Sequence, residues 1–252
     1  MDDQELLALC SKVVSSVASA LSSVADRSAP GERAGQYAID LAADAAALEI
    51  LDEAGIGVLS EESGLRRKQA DLVAVIDPID GSTNASRGIP WFACSLCILD
   101  GNGPRVSYVA NLASDVRYTA IRGAGSWRDG QPLSASPCNQ LGQAIVAVSG
   151  YPRRRIGWSQ YRAFGAAALD LCLVADGTID GYAVVGGSRL GSWDYLGAML
   201  VCTEAGAVIC EADGLDLVTT EHEARRSIVC ASTPELLDEL HTGVLAARKG
   251  SS

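Results

Sequence analysis

Histidine is nearly absent from this chain of 252 residues. The two present, His222 and His241, read as surface residues near the C-terminal end. A reaction built on a histidine base or a phosphohistidine therefore has little to work with. Positive charge is also in short supply. Lys and Arg number 20 against 31 Asp and Glu, a formal net charge of −11, which argues against a nucleic-acid backbone or an anionic membrane as main partner. A small anionic substrate stays open, because a bound divalent cation reverses the local field. Long apolar runs are missing too. No stretch approaches the ~18 residues of a membrane span, and the acidic opening Met1-Asp2-Asp3-Gln4-Glu5 is unlike a signal peptide. Internal repeats and low-complexity linkers are absent. So are a P-loop lysine after a glycine-rich loop and the D-x-D of aspartate-nucleophile hydrolases.

Cysteine, by contrast, is plentiful at eight residues. Most of them sit among apolar neighbours, as Cys94, Cys97, Cys172, Cys202, Cys210 and Cys230 do. Buried free thiols in a reducing cytoplasm fit this better than a disulfide scaffold. Cys94 and Cys97 have C-x-x-C spacing, but no second pair accompanies them to complete a zinc site. No cysteine is followed by the basic loop of a cysteine phosphatase.

What the sequence does hold is a soluble α/β pattern. Leu6, Cys10, Val13, Val17, Leu21 and Val24 recur at helical spacing, and a second helix is expected from Ile39 to Ala54. Ile56–Ser60, Leu72–Ile76, Ala93–Leu99, Arg105–Val109 and Val116–Arg122 read as strands, the last three as an antiparallel set. Gly123-Ala-Gly125 reads as a turn. Beyond Pro132, strands at 145–149, 180–185, 207–210 and 228–231 alternate with helices at 164–175 and 194–205, and Thr233-Pro234 opens a last helix. The expected division is an α+β half over 1–134 and an α/β half over 135–252.

The chemistry concentrates in Asp77-Pro78-Ile79-Asp80-Gly81-Ser82-Thr83-Asn84, directly after a buried strand. Singly, Asp80 reads as an N-cap and Asp77 as a strand-end polar residue. Together, two carboxylates around a Pro that fixes its own φ read as a ligand-bearing turn. Gly81 permits close backbone approach, and the amides of 81–83 can open a helix and hold a phosphate. Glu61-Glu62 closes another strand, and a clustered pair of acids in a cleft is costly unless protonated or metal-bound. Trp193-Asp194 opens the helix that ends at Glu204-Ala-Gly206; alone, Asp194 reads as an N-cap.

These three motifs, in this order, resemble the inositol monophosphatase family of Mg²⁺-dependent, lithium-sensitive phosphatases, over nearly the whole chain. Ser60-Glu-Glu-Ser-Gly64 and Gly88-Ile-Pro-Trp-Phe-Ala93 are similar to the compact archaeal enzymes acting on inositol monophosphate and fructose bisphosphate. The resemblance implies a layered αβαβα fold, a homodimer and hydrolysis of a small phosphorylated metabolite. It implies two to three Mg²⁺: a first on Glu61, Asp77 and the Ile79 carbonyl, a second shared by Asp77, Asp80 and Asp194, and a third near Glu61 and Asp40 through water. Asp40, with Asp44 one turn on, and the Ser82 hydroxyl would orient the attacking water. The Gly81 and Ser82 amides would bind phosphate, and the backbone at Gly165-Ala166-Ala167 would face the substrate.

The chain departs from the family before Trp193. The inositol phosphatases carry a sugar-gripping Glu there, whereas Tyr182–Ser192 is Gly-rich and holds no acid. Arg189, Tyr151 and Arg153–Arg155 are the candidate substrate rim, each arginine being otherwise a solvated cation. A sugar, cyclitol or nucleoside monophosphate is the first substrate expectation. Fructose 1,6-bisphosphate or a 3′(2′),5′-bisphosphate nucleotide is the second, and a non-catalytic binding protein of the same fold the third.

Overall fold

A computed structural model of the chain describes residues 1–33 and 35–249. Two helices open it, α1 (Asp3–Ser23) and α2 (Ala38–Glu53). The first sheet then forms from β1 (Gly57–Ser60), β2 (Gly64–Arg66), β3 (Val73–Asp80), β4 (Ala93–Asp100), β5 (Gly103–Asn111), β6 (Arg117–Ile121), β7 (Gly125–Arg128) and β8 (Gln131–Pro132), with the short helix α3 (Ser82–Arg87) between β3 and β4. The second sheet comprises β9 (Ile145–Ser149), β10 (Gln160–Arg162), β11 (Gly181–Val184), β12 (Val208–Glu211) and β13 (Ile228–Ala231). Helices α4 (Ala167–Ala175), α5 (Ser192–Glu204) and α6 (Pro234–Lys249) alternate with its strands.

The sheet orders are β2-β1-β3-β4-β5-β6-β7-β8 and β10-β9-β11-β13-β12. In the first sheet the one parallel pair is β1 with β3; every other neighbour is antiparallel. Helices α1 and α2 cover one face of this sheet, α5 and α4 lie between the sheets, and α6 covers the outer face of the second. The result is the expected αβαβα layering. The two sheets fall on either side of 134–135. Yet α5, from the C-terminal half, packs on β3, β4 and β5, so the halves share a helical layer.

Burial follows from pattern. In α1 the stripe Leu6, Cys10, Val13, Val17 and Leu21 is buried, the spacing of one helical face. Its start is closed by Asp2 and Glu5, each side chain accepting the other's backbone N–H, a capping box. By length and composition α1 is apolar enough to cross a membrane, which corrects the expectation that no stretch approaches such a span. Its exposed positions include Gln4, Glu5, Lys12, Ser15 and Ser19, so the apolar residues make one stripe and not a second. Helix α4 is buried at every position and α5 at ten of thirteen, as a layer between two sheets requires.

The cysteines are all unpaired. Cys94 and Cys97 belong to different cores, on opposite faces of β4, because residues three apart on a regular strand point opposite ways. They cannot share a metal.

Candidate metal centre

The site is made where β1 and β3 end side by side. Their parallel register sets Ser60 against Ile76, so Glu61, one residue on, comes level with Asp77. The expectation that Asp77 ends its strand is corrected: β3 runs on to Asp80, with a register shift between the two. Asp77 pairs with Ser95 and Asp80 with Ala93. Three steps along β3 thus oppose two along β4, a bulge. Without it, residues three apart would face opposite sides. With it, both acids share the face of Ser95, whose hydroxyl reaches the Trp193 carbonyl of α5 at 3.2 Å.

Helix α5 brings Asp194 to that face. Asp194 is not the N-cap but lies in the first turn, and its Oδ2 accepts the Gly191 N–H at 2.7 Å. Asp40 is seated alike at the start of α2, its Oδ2 accepting the Tyr37 N–H at 2.8 Å. Its Oδ1 is buried with no hydrogen-bond partner.

Glu61, Asp77 and Asp194 each offer one carboxylate oxygen, all within 4.8 Å of one another. Burial pushes Glu61 up to about 8, with the charges of Asp194, Glu62 and Asp40 adding to it. Asp194 is pushed up to about 7 by burial and by Asp80. Asp77 is raised by burial and then by Glu61, Asp80 and Asp194. Asp40 rises to about 6, chiefly through burial. At neutral pH Glu61 so placed holds its proton unless a cation replaces it, whereas Asp40, at about 6, is largely ionised. All-oxygen donors suit a hard divalent ion such as Mg²⁺, and the orphaned Asp40 oxygen adds an acceptor beside them. The residues fit the ion.

Asp80, expected as a ligand, is held differently. Its two oxygens accept the N–H groups of Ala167 (3.2 Å) and Ala168 (2.7 Å) at the start of α4, and it stands outside the three-acid group. Burial still outweighs these bonds and pushes it up to about 8. Ala167, expected beside the substrate, gives its amide to Asp80. The N-cap of α3 is Gly81, not Asp80, at φ 87°. A Cβ there would stand 3.0 Å from the Gly165 carbonyl and 3.1 Å from Ala166, so only glycine lets the starts of α3 and α4 close together.

A cavity of about 250 Å³ opens over the acids, lined in part by Asp40, Glu61 and Ser82. Neither Arg189 nor Tyr151 lines it. Arg189 pairs with Asp213 at 3.5 Å, and Tyr151 is 79% exposed. The cavity's cations are instead Arg33 and Arg225, which the sequence reading missed. Arg33 and Gln36 both grip the Glu62 carboxylate, tying the segment before α2 to the end of β1. Arg225 lies over the Trp193 ring at 5.0 Å and lowers the proton affinity of Asp194.

His222 is corrected as well. Its ring packs on Trp193 with centroids 4.9 Å apart, and Nε2 lies 3.0 Å from the Glu61 carbonyl. It belongs to the cavity wall. No spacing signal marked it, because its neighbours there come from distant segments. Glu204 turns out structural: its carboxylate accepts the Gly123 and Gly125 amides at 2.8 and 2.9 Å.

The fold and the acid group together define a layered α/β protein with an oxygen-only site for a divalent cation. The inositol monophosphatase family model matches residues 3–250. The fructose-1,6-bisphosphatase/inositol-1-monophosphatase of Archaeoglobus fulgidus is 31% identical over 253 residues, covering 94% of this chain and 99% of that protein. The Nus factor SuhB of Pasteurella multocida is 29% identical over 221 residues, covering 80% of this chain and 79% of that protein. Among solved structures, the Thermotoga maritima IMPase shares the fold with a TM-score of 0.83 at 20% identity, covering 98% of this chain and 99% of that one. This chain belongs to the inositol monophosphatase family, and it is a phosphatase, a phosphoric monoester hydrolase.

Proposed function

We propose that the chain hydrolyses the phosphomonoester of a small metabolite, a sugar, cyclitol or nucleoside monophosphate, using Mg²⁺ held by Glu61, Asp77 and Asp194. The convergence of these three carboxylates, Asp77 buried and Glu61 and Asp194 partly so, carries the reading. The Ile79 carbonyl is a further candidate ligand. Asp80 accepts one amide on each oxygen and so keeps a lone pair on each, the capacity that an ion shared with Asp77 and Asp194 would use. Bound cations would neutralise phosphoryl charge and make water more acidic.

The chain's own groups do the rest. Asp40 Oδ1, buried and unpartnered, is the acceptor that can hold the attacking water and take its proton, and Ser82, in the same cavity wall, is the hydroxyl that would fix its orientation. The Gly81 and Ser82 amides, at the mouth of α3, would receive phosphate oxygens. Phosphate release from a panel of sugar, cyclitol and nucleoside monophosphates, with Mg²⁺ and with chelator, tests the proposal. Release that persists in chelator, or none on any ester, overturns it.

A second reading is a bisphosphate substrate, supported by Arg225 and Arg33 in the cavity wall and by the name of the Archaeoglobus relative. In this reading Arg225 meets the second anionic group, and Arg225→Gln should lower kcat/KM for bisphosphates more than for monophosphates. The eight free cysteines support placing the protein in a reducing compartment such as the cytoplasm.

A further inference from the structure

A second cavity, of about 240 Å³, opens on the far side of the second sheet and shares no lining residue with the acid cavity. Its floor is apolar, from Ile156, Val185 and Val244. Its rim carries Arg153 and Arg248, and its back wall is the Gly186-Gly187 backbone.

Charge here runs against the rest of the molecule. In a chain of net charge −11, Arg153, Arg154 and Arg155 are consecutive, and Arg189 and Arg248 follow close to the same loops. A single carboxylate, Asp213, serves both Arg189 (3.5 Å) and Arg248 (3.1 Å). Among the described residues Arg153 has no carboxylate or hydrogen-bond partner. The walls are also fixed in place. A Cβ on Gly186 would stand 2.2 Å from the Tyr151 carbonyl, so the two loops that flank the cavity pack backbone to backbone.

We propose that this cavity is a ligand site, separate from the metal centre, for a small organic anion. The charged group would meet Arg153 and Arg248, and a flat apolar body would lie on Ile156, Val185 and Val244. The volume sits just below the roughly 300 Å³ at which drug-sized sites begin, which limits the body to one fused-ring system or its equivalent. The back wall continues through Gly191 into α5 and Asp194, so a ligand there rests on the segment that presents a metal-site acid.

Calorimetry with naphthalene-2-sulfonate, which has no phosphoester to hydrolyse, tests this on the full chain. Saturable one-to-one binding is expected, weakened at least tenfold by Arg153→Gln and by Ala247→Trp, which fills the cavity, and unchanged by Asp77→Asn. No binding to the unaltered chain, unaltered affinity in Arg153→Gln or in folded Ala247→Trp, or loss of binding in Asp77→Asn overturns the proposal. Arg153 lies at the rim, so Arg153→Gln keeps the fold and decides the matter even if Ala247→Trp unfolds.

Discussion

Helix α5 carries an acid at each end, and the two do opposite work. Glu204, at the C-terminal end, is satisfied: two backbone amides of the β6–β7 turn point at its carboxylate. Asp194, at the N-terminal end, has one amide and two acidic neighbours within 4.8 Å. One acid stabilises the fold as it stands. The other makes the metal-free fold worse and becomes favourable only when a cation arrives. The contrast shows that a carboxylate's role is set by the donors its neighbourhood supplies, since the residue types are nearly the same.

Substitution at the two ends should separate these roles. Asp194→Asn is expected to cut kcat by ~10³-fold or more, the several kcal/mol that a metal contact supplies to a transition state. The same variant should melt higher than the parent in chelator and lower in saturating Mg²⁺, because it removes one charge from a repelling group. A lower melting temperature in chelator would mean that Asp194 is a structural acid after all.

The pH dependence of the metal-free protein should show the same strain. Folded Glu61, Asp80 and Asp194 hold protons up to about 8, 8 and 7, whereas unfolded carboxylates release theirs near 4. Between those limits the folded state binds more protons than the unfolded one. Stability in chelator should therefore be fullest below pH 4 as far as these groups decide it, and fall as pH rises toward 8. Saturating Mg²⁺ should abolish the fall. Melting curves across this range, with and without the ion, check the sign.

Glu204→Gln should cost about 1–2 kcal/mol, the value of a charged acceptor lost to a backbone donor, with kcat unchanged; a large loss of turnover would break the comparison. The smallest effect is expected from Arg225→Gln. Without the guanidinium, Asp194 holds its proton more tightly, and the Mg²⁺ needed for half-maximal rate should rise a few-fold.

Much of the fold was legible in the sequence because its elements announce themselves locally. The α1 stripe, the apolar β3 run and the Thr233-Pro234 helix start needed no tertiary knowledge. Boundaries set by distant contacts were not legible. Helix α4 was expected from Phe164 but begins at Ala167, because the Asn84 side chain, 80 residues away, donates to the Phe164 carbonyl at 2.8 Å. At the site, Glu61, Asp77 and Asp194 were readable from motif and resemblance. Arg33, Arg225 and His222 were not, since each reaches the cavity from a loop whose local sequence carries no signal. The amide cradle of Asp80 was hidden for the same reason: its donors lie 87 and 88 residues away.

The irregularity in β3 keeps Asp77 and Asp80 on one face although they stand three residues apart. Run as an ordinary ladder at its present length, the segment would turn Asp80 toward α1 and α2, away from the amides that receive it. Deleting one residue would instead leave Asp80 two residues from Asp77 and still on that face, so it is the extra residue's placement of Asp80 against α4, rather than its side of the sheet, that such a deletion would change.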